Sequence, residues 1–254
     1  MPLILVTNDD GISSQGIKIL AKMLESAGDV YVVAPESEQS AVAHSLTLHR
    51  PLKFDKAGKR AYSINGTPTD CVIIGINKLL PQKPDIIVSG INNGANLGDD
   101  VTYSGTVAAA MEGTLLGIPS IAISLAKDMN NGANRQITAA LKEAAGFAVK
   151  LAGIVLKEGL PKDTLLNVNV PDSRKIEGVK FTVQGKRVYD NSVKELLDPR
   201  GRRFYWIGGG TPQGRGGENT DIEAVQDGYI SITPVHLDLT NHRALKRIKE
   251  TWKV

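Results

Sequence analysis

Leu3-Ile4-Leu5-Val6-Thr7-Asn8-Asp9-Asp10-Gly11 is the stretch that decides how the rest of the chain is read. Residues 3–6 are a continuous apolar run, the pattern of a strand buried on both faces. The run stops at Thr7-Asn8 and two adjacent carboxylates, and Gly11 then permits a tight turn before a helix. In an open α/β sheet, ligands bind beyond the carboxyl ends of the strands. Asp9 and Asp10 are therefore expected at the mouth of such a site. Adjacent carboxylates repel each other, and a bound cation relieves that cost. Hard oxygen ligands suit Mg²⁺, Mn²⁺ or Ca²⁺ better than zinc. Asp-Asp-Gly is also ordinary turn composition, and this stretch by itself leaves both readings open.

Outward from this stretch the chain alternates strands and helices. Ile17, Leu20, Ala21 and Leu24 form the stripe of an amphipathic helix over Ser14–Ala27, with Gly28 at its C′ position. Val30–Ala34 reads as a second buried strand, ended by Pro35. A polar loop follows from Glu36 to His44, and Ser45–Phe54 alternates enough to suggest a strand outside the regular pattern. Thr67-Pro68-Thr69-Asp70 starts a helix that runs to about Leu80, with Thr67 as N-cap, Pro68 at N1 and Asp70 facing the positive helix end. Asp85–Ser89, Ser120–Ser124 and Leu165–Val170 read as further strands. Val107–Leu116 and the alanine-rich Gln136–Lys157 read as helices. This alternation predicts a Rossmann-like, mostly parallel sheet with helices on both faces.

Beyond about Val179 the pattern changes. Strand-like Phe181–Gln184 leads into a Gly/Arg-rich region carrying Phe204-Tyr205-Trp206 and Gly208-Gly209-Gly210. Between Lys186 and Arg215, seven Lys/Arg against three acids leave a local charge of +4. Asp221–Gln226 reads as a short helix, Tyr229–Thr233 as a strand, and Asn241–Trp252 as a terminal helix capped by Asn241. The expected organisation is a single domain, with a core over residues 1–178 that completes its sheet by about Pro171. Residues 179–254 would supply a β-hairpin arm, a strand and a terminal helix for oligomerisation.

Composition narrows the function classes. The 254 residues carry 41% hydrophobic and 22% charged side chains, ordinary for a globular protein. No apolar run approaches the ~20 residues that span a bilayer, and the N-terminus has no basic segment or cleavage site. A net charge of +3 does not argue for nucleic acid. A single cysteine, Cys71, excludes an internal disulfide and any C-x-x-C metal site, and fits a reducing cytoplasm.

Three loops after strands of this sheet carry Asp9 and Asp10, Ser40, and the Gly90–Gly98 segment with Asn92, Asn93 and Asn96. Two carboxylates, one hydroxyl and one amide oxygen make an open octahedral set for Mg²⁺ or Mn²⁺. Ser104-Gly105-Thr106 opens a helix whose free N–H groups and dipole form an anion site. Metal beside anion pocket implies phosphate chemistry. Each residue has an ordinary alternative: Ser40 as a turn residue, Ser104 as a plain cap, the asparagines as turn formers, His44 as a structural histidine.

Val6–Gly11, Ala34-Pro35 with Ser40, Asn65–Asp70, Ser89–Gly98, Tyr103–Glu112, Leu166–Pro171, and Thr220-Asp221 with Ile230–Pro234 together resemble the SurE family of nucleotidases, in order and over essentially the whole chain. The resemblance implies one divalent metal ion per subunit, Mg²⁺ or Mn²⁺, held by Asp9, Asp10, Ser40 and Asn96. It implies hydrolysis of nucleoside 5′- and 3′-monophosphates, and of polyphosphate in some members. Asp9, Asp10 and Asn96 are the expected catalytic residues, and Asn92, Ser104, Gly105 and Thr106 the expected phosphate-binding ones. A water oriented at the metal is the expected nucleophile, with an aspartyl-phosphate as the rival route. A homodimer or homotetramer built through the C-terminal elements is expected, in the cytoplasm, with neither duplex nucleic acid nor membrane as partner. A nucleotide-binding regulatory module without turnover is the alternative function.

Overall fold

The computed structural model describes residues 1–126, 137–173, 175–189, 193–207, 212–215 and 217–253. In chain order these form β1 (Leu3–Thr7), α1 (Gln15–Leu24), β2 (Asp29–Pro35), β3 (Phe54–Gly58), β4 (Ala61–Ile64), α2 (Pro68–Ile74), β5 (Ile86–Asn92), α3 (Gly105–Leu115), β6 (Ser120–Ala126), α4 (Ile137–Glu158), β7 (Thr164–Pro171), β8 (Gly178–Phe181), β9 (Lys186–Tyr189), β10 (Val193–Leu197), β11 (Arg203–Ile207), β12 (Pro212–Arg215), α5 (Asp221–Gln226), β13 (Tyr229–His236) and α6 (His242–Thr251). Among the described residues one nine-stranded sheet runs β3-β4-β2-β1-β5-β6-β7-β13-β8. The strands from β4 to β7 are mutually parallel, and β13 turns antiparallel to β7.

β1 is buried along its whole length because it pairs on both sides, with β2 and with β5. Its side chains alternate between two cores, as the pleat requires. Ile4 and Val6 join Ile17, Leu20 and Leu24 of α1 and the alanine face of α4. Leu3 and Leu5 join Cys71 and Val72 of α2, Ala109 of α3 and Ile87. The sheet thus carries helices on both faces, as the sequence pattern implies. Strand order reverses between β2 and β5, so the topological switch point lies at the carboxyl end of β1.

α1 keeps its predicted stripe of Ile17, Leu20 and Leu24, and Ser14 caps it by accepting from the Ile17 N–H. The Thr67-Asp70 capping box forms in full at α2. That helix gives way at Ile74 to one wider turn over Gly75–Leu79, so the run toward Leu80 changes winding part-way. Two strand readings are corrected. Ser45–Phe54 is irregular up to Phe54, and the strands there are the hairpin β3–β4. Pro51 lacks a donor, and side chains supply the missing ladder: the Lys53 N–H donates to Asn65 Oδ1 and the Thr47 N–H to Asp70 Oδ1. Farther on, β8 ends at Phe181, and Val183 makes an isolated bridge to Thr220.

The sheet also does not close at Pro171. β13 pairs with β7 from Ser231–Asn169 to His236–Thr164, and β8 adds beyond it. What projects is the arm made of two small antiparallel sheets, β9–β12 and β10–β11. Gly208-Gly209-Gly210 lies outside the described residues. α6 begins one residue after its Asn241 cap, as expected.

Candidate active site

Asp9 stands just past β1 and is 6% exposed. The Thr106 hydroxyl donates to its Oδ1, and the Thr106 main chain hydrogen-bonds to the same carboxylate. Burial pushes the Asp9 carboxyl up from its ordinary value, with Glu38 adding to the rise, while Thr106 pulls it back. Gly105 makes this contact possible. A Cβ there would lie 2.8 Å from Asp9 Cβ and 3.0 Å from Oδ2, so any side chain would push α3 off the carboxylate. The start of α3 therefore faces Asp9. Ser104 is the N-cap of α3, accepting from the Val107 N–H at 3.1 Å. Of the residues read as a phosphate cradle, Ser104 caps the helix, Gly105 makes room and Thr106 orients an acid.

The other loops are knitted to the same rim. The Gln39 N–H donates to the Asp9 carbonyl at 2.7 Å, and the Asn93 N–H to Asp10 Oδ2 at 3.2 Å. Asn8 ties its own turn by donating to the Gly11 carbonyl and Ser14 Oγ. Asn92 donates to the Gly94 carbonyl, shaping its loop from within. Ser40 is exposed and its hydroxyl donates to Glu38 Oε1 at 2.6 Å, so the free energy of that bond competes with any ligand role.

Asn96 is buried over β6 and β7. Its Nδ2 donates to Ser124 Oγ at 2.8 Å, which turns Oδ1 the other way. Its main-chain N–H donates to Asn169 Oδ1, and its carbonyl accepts from the side-chain amides of Asn167 and Asn169. These two asparagines lie in the Leu166–Pro171 motif quoted for the resemblance, which gave them no role at the site. The signal was available: Leu-Leu-Asn-Val-Asn-Val puts both amides on one face of an otherwise apolar strand. Asp221, in the Thr220-Asp221 motif, was likewise given no role. Fully buried, it accepts the N–H groups of Gly98, Gly185 and Ile222, joining the asparagine loop to the root of the arm.

The donor set fits a hard divalent cation. Among the described residues no three His, Cys, Asp or Glu stand close enough to hold a metal, so a site here must combine two carboxylates with neutral oxygens. Asn96 Oδ1, fixed by the Ser124 bond, is such an oxygen. Thr7 Oγ1, Ser89 Oγ on its register partner in β5, and Asn8 Oδ1 are buried and have no hydrogen-bond partner among the described residues. The rim is rich in oxygen.

A parallel sheet with paired acids at its switch point defines a class of α/β protein that acts on ligands at its carboxyl rim. The chain belongs to the SurE family: residues 4–191 match the family described as Survival protein SurE. It is similar to the 5′-nucleotidase SurE of Geobacter metallireducens, 53% identical over 251 residues, covering 98% of this chain and 96% of the relative. The 5′-nucleotidase SurE of Caldanaerobacter subterraneus subsp. tengcongensis is 49% identical over 257 residues, covering 99% and 97%. The crystal structure of SurE protein from Aquifex aeolicus superposes with a TM-score of 0.83 at 46% identity, covering 98% of this chain and 99% of that one. No described helix is long and apolar enough to cross a membrane.

Proposed function

We propose that the chain is a phosphomonoesterase that hydrolyses nucleoside 5′-monophosphates, using a divalent cation at Asp9, Asp10, Ser40 and Asn96. The relatives named 5′-nucleotidase support the reaction. The observation that carries the site is the Asp9 carboxylate, held rigidly by Thr106 where the switch point opens. Mg²⁺ or Mn²⁺, when bound, supplies Lewis acidity toward the phosphoryl oxygens. Thr106 fixes the Asp9 carboxylate in one orientation, and Ser124 fixes the Asn96 amide. Ser40, whose hydroxyl now donates to Glu38, would complete the set of oxygens that hold the cation. The phosphate is received at the first turn of α3, whose positive end favours an anion once the Asp9 charge is offset. Asn92 and the Gly90–Gly98 backbone border that seat. Action on 3′-monophosphates and polyphosphate, and assembly into dimers or tetramers through the arm, belong to the same proposal.

The test is phosphate release from adenosine 5′-monophosphate by protein freed of metal with a chelator. Adding Mn²⁺ or Mg²⁺ should restore steady turnover. Nucleotide binding without release at any metal concentration would make the chain a binding module instead.

A further inference from the structure

We infer that His44 and Glu112 form a latch that holds the Ser40 loop against α3 and so sets the affinity of the site. This rests on the reading of Ser40 as a ligand of the site. His44 Nε2 lies 2.9 Å from Glu112 Oε2, and the side chains are 32% and 12% exposed. The two residues are far apart in sequence but join two pieces of the site. His44 closes the loop that carries Ser40, and Glu112 lies on the helix whose first turn grips Asp9.

The loop needs such a fastening. Residues 36–53 have no helix or strand, and Ser40, Ala41 and residues 36–38 are exposed. Ala41 and Ala43 adopt φ of 55° and 52°, the left-handed region that a Cβ disfavours. Strained backbone persists where outside contacts over-determine it. Here the contacts are few. The Gln39 N–H donates to the Asp9 carbonyl, the Ala43 N–H donates to the Tyr103 carbonyl at 3.1 Å, and His44 meets Glu112 beside it. Past His44 the chain is pinned separately, by Thr67 Oγ1 donating to the Ser45 carbonyl and by the Thr47 N–H donating to Asp70. Releasing His44 therefore frees the segment between Gln39 and Ser45 without disturbing the core. The latch acts through the position of Ser40; His44 is a positioning residue.

The latch is read in two ways on the full-length protein. Hydrogen exchange reports the loop without metal. In His44→Ala and in Glu112→Ala the Gln39 and Ala43 amides should exchange about tenfold faster, as expected when a hydrogen bond to a charged group is lost. His44→Gln, whose amide can still donate to Glu112, should restore most of the protection, and the double variant should be no worse than either single. Titration with Mn²⁺ alone reports the site: affinity should fall several-fold in His44→Ala and recover in His44→Gln. Unchanged exchange at both amides would overturn the latch. Faster exchange with unaltered Mn²⁺ affinity would overturn its role at the site. If the unaltered protein binds no Mn²⁺, the metal reading under Proposed function fails, and the exchange result still decides the latch.

Discussion

At the rim beside β1, Asp9 is 6% exposed and meets Thr106, Gly105 and Gln39, residues from two other segments. On the arm, Trp206 is 66% and Ile207 89% exposed, and every residue of β10 and β11 faces solvent. The rim places a costly group, an acid, where burial raises its free energy. The arm leaves Phe204, Tyr205 and Trp206, residues that gain from burial, in water. Each region is incomplete in its own way. Acids gather at the rim, and on the arm apolar side chains lie uncovered among the described residues. The arm root is nonetheless fastened to the rim, through Asp221 and through Arg187, whose guanidinium pairs with Asp100.

Replacing the acid tests the rim half of this contrast most severely. Asp9→Asn is expected to lower turnover of adenosine 5′-monophosphate by about a thousandfold or more, because a ligand and its charge are lost together. Stability should move the other way in metal-free protein. The carboxyl is raised above its ordinary 3.8 by burial. Its contribution to stability is then full below that value and is lost as pH rises through the folded value. The amide suffers no such loss, so the variant should melt higher than the parent near neutral pH without metal. Turnover within a few-fold of the parent would remove Asp9 from the site.

The joint between the regions comes next. Asp221→Ala strands three buried N–H groups, on Gly98, Gly185 and Ile222. Unsatisfied buried groups cost about 1–3 kcal/mol each, so a loss on the order of 3 kcal/mol in urea unfolding is expected. Turnover should fall with it, since Gly98 ends the loop that carries Asn96. Stability unchanged within 1 kcal/mol of the parent, about the cost of one such group, would show that Asp221 does not brace the loop.

Thr106→Val keeps shape and removes the hydroxyl. Asp9 then loses the donor on Oδ1, its carboxyl rises further, and turnover should drop about tenfold, the worth of one hydrogen bond to a charged group. Thr106→Ser should recover most of it. If Mn²⁺ affinity is unchanged in Thr106→Val while inorganic phosphate inhibits more weakly, Thr106 serves the phosphate, as sequence alone suggested.

The same contrast explains what the sequence made legible. The run Leu3–Val6 and the stripe Ile17, Leu20, Leu24 were readable because burial is total there, and periodicity reports burial. Asp9 and Asp10 drew notice because polar residues at the end of such a run stand out, whereas Asn96 was singled out only by the family resemblance. Ser45–Phe54 misled because its weak alternation reflects no sheet; side-chain hydrogen bonds to Asp70 and Asn65 do that work. The placement of β13 beside β7 was hidden because antiparallel addition at a sheet edge leaves no periodic mark. Thr106 facing Asp9 was hidden because it joins residues 97 positions apart.

The arm and the terminal helix give the last and smallest effect on chemistry. α6 has no buried residue, yet Leu245, Ile248 and Trp252 sit at 40%, 38% and 66% exposure with the spacing of one helical face. A helix of ten residues is marginal in water without a surface to pack on. Nothing among the described residues buries that stripe, and the β10–β11 hairpin presents a second apolar face of the kind enriched at interfaces. A second copy of the chain offers both faces at once, and exchange of such elements closes a symmetric dimer. Deleting residues 241–254 should therefore lower the mass seen by light scattering while leaving turnover per subunit within a few-fold, since the rim is built without them. Serine at Phe204, Tyr205 and Trp206 sharpens the assignment: a mass that falls only there gives the contact to the hairpin. A parent chain that scatters as a monomer would mean that the arm stays in solvent and serves no assembly.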